Sequence, residues 1–146
     1  IILNIRELTC SLFLSKKNMT QFTLVFASIF GALAVIFGAF GAHALKKILN
    51  NEQLKSFETG VKYQMYHALV LLIIGFNFSF EVASEKYMVY CFIIGTILFS
   101  FSIYGLVISS AFNKKLRFLG PITPIGGLLL VCGWVLLLYS SLNISL

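Results

Sequence analysis

The chain has 146 residues, of which 59% are hydrophobic and only 11% charged, and its mean hydropathy is +0.95. A soluble domain is usually about 45–50% apolar and about 25% charged, so a soluble enzyme with a charged surface, a disordered chain and a secreted disulfide scaffold are excluded. Eleven Lys and Arg stand against five Glu, with no Asp, for a net charge of +6. These charges bracket apolar runs and form no basic stripe, which argues for membrane topology and against nucleic acid.

The first eighteen residues, IILNIRELTCSLFLSKKN, precede the first methionine, Met19. Arg6 and Glu7 interrupt their apolar run, which is too short to span a bilayer. A signal peptide carries its positive charge ahead of the apolar region, whereas Lys16 and Lys17 follow it here. The expectation is a leader or an over-extended start over residues 1–18, followed by a single membrane domain over residues 19–146.

Uncharged runs then cover residues 18–45, 63–80, 87–113 and 118–146. A helix crosses a hydrocarbon core about 30 Å thick with roughly 20 apolar residues. Four spans are predicted, near residues 22–42, 63–80, 87–111 and 122–141. A β-barrel would alternate polar and apolar positions, and LVLLIIGF and GGLLLVCGWVLLLY do not. Helices satisfy every backbone group internally, as the bilayer demands. A soluble bundle of buried helices is disfavoured, because too few polar residues remain to coat it.

Span one carries Ala27, Gly31, Ala34, Gly38 and Gly41 at spacings of four and three, a face with almost no side chain. Span three has Gly95 and Gly105, and span four Gly126 and Gly133. Membrane helices gain little by burying apolar groups against one another, so close approach through small residues carries much of their packing. A compact four-helix bundle with span one central is expected, and leucine at Gly31 or Gly38 should disrupt it.

The link after span one is amphipathic: Leu45, Ile48 and Leu49 make one apolar patch, and Leu54, Phe57 and Val61 another. Asn50 with Gln53 fits a helix start with a capping box. Residues 51–62 are therefore read as a helical lead-in to span two near the headgroups. Residues 81–86 make a tight hairpin, and Pro121 and Pro124 open span four, where proline costs a helix little. Lys46, Lys47, Lys55 and Lys62 lie in one link and Lys114, Lys115 and Arg117 in another, against Lys86 alone between spans two and three. The positive-inside rule places the basic links in the cytoplasm and both termini outside.

Polar groups within spans are expensive, so each is a candidate for function. His43, Tyr63, Gln64, Tyr66, His67, Tyr104 and Thr123 all fall toward the cytoplasmic ends of their spans. One reading is a shallow pocket or a His43–His67 proton relay, since histidine titrates near neutral pH. The other is a hydrogen-bond network pinning helix ends, with the tyrosines as an aromatic belt. Metal binding wants three or four ligands, and two His with no nearby Asp, Glu or paired Cys fall short. Axial haem ligation by the two histidines is a third alternative. Cys10, Cys91 and Cys132 are isolated, with no CxxC. No catalytic set, metal site or cofactor is expected.

The segments GAFGAHAL (38–45), TGVKYQMYHAL (59–69), GTILFSFSIY (95–104) and LGPITPIGG (119–127) closely resemble the small membrane proteins classed as domain of unknown function 423, with YgdD-like bacterial members and eukaryotic transmembrane protein 256 relatives. The resemblance runs in order through residues 19–142. It implies four spans, an inner-membrane location and no established activity, with Met19 as the start. The family's patterned residues fall on Gly38, Gly41, His43, Thr59, Gly60, Tyr63, Tyr66, His67, Ser100, Tyr104, Thr123, Pro124, Gly126 and Gly127. Two positions depart from it: Phe101 replaces a small residue between Ser100 and Ser102, and Pro121 replaces another before span four. The expectation is an all-α, non-enzymatic membrane protein that binds lipid or assists another membrane protein, with the bilayer and another membrane protein or a second copy as partners. The alternative is a small-solute or proton channel or transporter built on the His/Tyr cluster.

Overall fold

The computed structural model describes the backbone of residues 2–112 and 116–143, and the side chains of residues 16–112, 116 and 118–143. Lys114 and Lys115 of the second basic link lie outside the described residues. The described chain is helical: α1 (Ile2–His43), a 3₁₀ turn (Leu45–Lys47), α2 (Asn51–Asn77), α3 (Ala83–Thr96), a π-helical turn (Ile97–Phe101), α4 (Ser102–Ala111), a second 3₁₀ turn (Arg117–Leu119) and α5 (Ile122–Leu142). Three segments, Lys16–Lys47, Ala83–Ala111 and Ile122–Leu142, are long and apolar enough to cross a membrane. At 27 residues α2 is long enough, but Lys55, Lys62, Gln64 and His67 make its first part too polar to join them.

Helix α1 runs from Ile2 without a break into the apolar run, and Met19 is buried. Lys16 pairs with Glu81 in the α2–α3 connection, and the ammonium beside it holds the exposed Glu81 carboxyl below the usual carboxylate range. The hairpin itself turns at Phe80, which has φ 57° and a fully buried ring. A left-handed non-glycine residue costs about 1–2 kcal/mol, and burying a phenyl ring returns about 1.5–3 kcal/mol.

The expected capping box is present. Asn50 accepts from the Gln53 backbone N–H and Gln53 Oε1 accepts from the Asn50 N–H, both at 2.9 Å. The lead-in and the second apolar run form one unbroken helix, α2.

The small residues of α1 lie along α2 in antiparallel register. A Cβ added at Gly31 would stand 3.9 Å from Ala68, at Gly38 3.6 Å from Val61, and at Gly41 3.3 Å from Phe57. Ala27 and Ala34 are fully buried in the same seam. The closer approach is elsewhere. On α5, a Cβ at Gly126 would fall 2.4 Å from the Phe99 backbone nitrogen, and one at Gly133 2.9 Å from the Phe92 ring. On α3, a Cβ at Gly95 would fall 2.8 Å from Leu130. Gly105 of α4 packs under Leu119, where a Cβ would stand at 2.7 Å. In the α1–α2 seam a Cβ at Gly75 would likewise fall 2.7 Å from Leu24, so both seams have close points, and the closest, against backbone, is at Gly126.

The π-helical turn explains how Phe101 is accommodated. A π turn inserts an extra residue into a helix and shifts the faces on either side of it. Ser100 and Ser102 both end up buried, one against α2 and the other toward α5, while the Phe101 ring stays partly exposed against Phe37 and Tyr104.

Candidate functional site

The predicted polar cluster separates into three groups. The first is a buried lock. Gln64 is 0% exposed; its Nε2 donates to the Phe30 carbonyl of α1 at 2.9 Å, and its Oε1 accepts from Tyr104 Oη at 2.9 Å. One turn earlier, Ser100 Oγ donates to the Gly60 carbonyl at 2.9 Å, and the Tyr104 ring covers Gly60 so closely that a Cβ there would stand 2.7 Å from it. Gln64 thus joins α1, α2 and α4, with its amide oxygen and one N–H engaged.

The second group surrounds His67. Its Nδ1 lies 2.8 Å from the Tyr63 carbonyl, so that nitrogen carries the proton. Rings of Tyr63, Phe92 and Trp134 surround the imidazole, and its buried Nε2 has no hydrogen-bond partner among the described residues. Thr96, also buried and unpartnered, lies on α3 between Phe92, which touches His67, and Ser100, which bonds to Gly60.

The third group is peripheral. Tyr66 is exposed, Thr123 bonds to Ser102 at 2.7 Å, and His43 is exposed with its Nδ1 on the Ala39 carbonyl at 3.1 Å. By the α1–α2 register His43 stands level with residue 55, so about twelve residues, or roughly 18 Å of rise, separate it from His67. The structure does not bring the two histidines together as a relay or as an axial pair. Among the described residues no three His, Cys, Asp or Glu side chains gather as a metal-binding group.

Three features went unseen in the sequence. Cys91 and Cys132, isolated along the chain, lie nearly level on the two packed helices α3 and α5. Glu85 and Ser140 stand level on the same two helices, each buried and each with an unpartnered oxygen. The third is a groove of about 770 Å³ between the first turns of α2, helix α4 and the start of α5. One side is polar, with Glu52, Gln53, Ser56 and Thr59; α4 contributes Ile103, Leu106 and Val107 as an apolar wall. Its floor is fixed by Gln53 Nε2, which donates to Ser110 Oγ at 3.1 Å.

Residues 37–127 match the family described as Protein of unknown function (DUF423). A UPF0382 membrane protein of Staphylococcus haemolyticus is 38% identical over 117 residues, covering 77% of this chain and 92% of that protein. The UPF0382 inner membrane protein YgdD of Escherichia coli is 34% identical over 127 residues, covering 86% of this chain and 93% of that protein. The chain belongs to the DUF423 family. It is a helical membrane protein of a family without an assigned activity, and its environment is the lipid bilayer. No solved structure matches it. The DUF423 match contains the Gln64–Tyr104 lock, His67 and the whole groove, whereas Ala27, Gly31 and Trp134 lie outside it.

Proposed function

We propose that this DUF423 protein is a non-enzymatic, four-span protein of the bacterial inner membrane that binds lipid in the groove between α2 and α4. The inner-membrane location follows the printed name of YgdD. The fourth span is α2: its second part, Ala68–Gly75, is apolar and packs between α1 and α3, and its polar first part turns Gln64 inward to bond within the protein. With the basic links cytoplasmic, both termini lie outside and the groove opens at the inner leaflet.

The observation that carries the lipid-binding reading is the two-sided groove. One wall is apolar and the other hydroxyl-rich, and its volume of about 770 Å³ is within the usual range for small-molecule sites, about 300–1,000 Å³. A lipid meets such walls with a chain and a headgroup together. Protein extracted gently from native membranes and analysed by native mass spectrometry should retain one or two phospholipids. A bulky Leu106→Trp variant, at a partly exposed position of the apolar wall, should lose them with helicity intact. Bare wild-type protein would sink this reading.

A transport reading is favoured by one observation, the unpartnered His67 Nε2 and Thr96 hydroxyl at mid-depth of the bundle. It requires proton flux in proteoliposomes that His67→Ala abolishes. The lipid-binding reading expects flux no greater than that of protein-free vesicles.

A further inference from the structure

We infer that the groove selects a lipid headgroup ending in a primary ammonium, with the Glu52 carboxylate and a set of hydroxyl lone pairs as its acceptors. This rests on the lipid-binding reading and adds the chemistry that chooses among lipids.

The argument is a count of hydrogens. A hydroxyl has one donor and two acceptor sites. Ser56 donates to the Glu52 carbonyl at 3.0 Å, Thr59 to the Lys55 carbonyl at 2.9 Å and Ser109 to the Leu106 carbonyl at 3.1 Å. Ser102 gives its hydrogen to the Phe99 carbonyl at 2.9 Å, so in the 2.7 Å contact between Ser102 and Thr123 the donor is Thr123. Four hydroxyls on the groove wall have thus spent their only hydrogen on the protein and offer lone pairs. Among the described side chains of the groove, the donors left are the Ser110 hydroxyl, which accepts from Gln53, and the second N–H of Gln53. Glu52 adds a full negative charge in the first turn of α2, and its carboxylate has no ion pair among the described residues.

An acceptor-rich wall with one carboxylate complements a group that is cationic and carries several N–H bonds. A primary ammonium has three. A trimethylammonium has the charge without the donors. A glycerol headgroup leaves the lipid with a net negative charge, which Glu52 repels. The apolar wall on α4 makes a lipid, rather than a free amine, the source of the ammonium. Phosphate is common to all three lipid classes, so the terminal group alone decides between them.

The test uses the full chain in nanodiscs made from an equimolar mixture of phosphatidylethanolamine, phosphatidylcholine and phosphatidylglycerol, with retained lipid read by native mass spectrometry. A hydrogen bond is worth about 1 kcal/mol net, or about a fivefold preference, and the primary ammonium makes it where the trimethylammonium does not. Phosphatidylethanolamine should therefore be retained about fivefold over phosphatidylcholine, and at least as strongly over phosphatidylglycerol. Glu52→Gln, an isosteric change on an exposed turn, should reduce that preference to about twofold or less. Thr59→Val, which removes lone pairs while keeping shape, should weaken it too. Equal retention of ethanolamine and choline lipids, a lead for phosphatidylglycerol, or an unchanged preference in Glu52→Gln would each overturn the inference while leaving lipid binding in place. Wild-type protein that retains no lipid would remove the lipid-binding reading as well.

Discussion

Gly126→Ala should be the most damaging single-methyl change in the protein. The added carbon would fall 2.4 Å from the Phe99 nitrogen and 2.8 Å from the Leu98 carbonyl carbon, both backbone atoms of the π-helical turn. A flexible side chain could swing away, but a backbone cannot, so α5 must move off the α3–α4 segment. Forcing a methylene into a packed interior costs about 1–3 kcal/mol, and with backbone on both sides the upper end is expected. Thermal unfolding in detergent, followed by far-ultraviolet circular dichroism, should show a midpoint lower by about 5–10 °C, at roughly 2–4 °C per kcal/mol. Gly31→Ala is the control. Its new methyl would rest 3.9 Å from Ala68, an ordinary contact, and should leave the midpoint within about 1–2 °C. Equal midpoints for the two variants would show that the α3–α5 seam is looser than its geometry. Leucine at Gly31 or Gly38 should still disrupt the α1–α2 seam, because only one carbon fits there.

That contrast shows what the sequence could reveal. The α1 seam was legible because its small residues repeat at helical spacing, and the Asn50–Gln53 box because a cap is a local event within four residues. Which glycine is obligatory was not legible, since the distance to Phe99 depends on how a second helix is bent. The π turn was hidden for the same reason: whether a helix inserts a residue at Ile97–Phe101 is settled by what Ser100 and Ser102 can reach on two different neighbours. The sequence places the polar residues in a single layer because it does not show how deep the lead-in helix carries the start of span two. Helix α2 starts at Asn51, so His67 lies sixteen residues, or roughly 24 Å, along it, deep beside Phe92 and Trp134. His43 stayed at the end of α1. The groove was illegible because its walls come from three stretches of chain, none of which has a distinctive motif.

The second large effect is expected at the Gln64–Tyr104 lock. Gln64→Leu removes the bond to the Phe30 carbonyl and leaves Tyr104 Oη buried without its acceptor. A buried polar group left unpaired costs about 1–3 kcal/mol. Tyr104→Phe leaves Gln64 Oε1 buried without its donor, although Gln64 keeps its bond to α1, so its cost should fall in the same range. In the double variant no polar atom is stranded at either end. Its loss should fall short of the sum of the single losses by about 0.6 kcal/mol, the average for hydrogen bonds between membrane helices, and by no more than about 1.7 kcal/mol. Unfolding midpoints of the four proteins, titrated with a denaturing detergent, give that coupling directly. Strict additivity would mean that the two side chains do not act as a pair. The cycle also bears on function. If Gln64 and Tyr104 belonged to a proton path, breaking their bond would change flux more than stability. As a lock, the bond holds α4 against α2 just beneath the groove, and Tyr104→Phe should weaken lipid retention only as far as it loosens that contact.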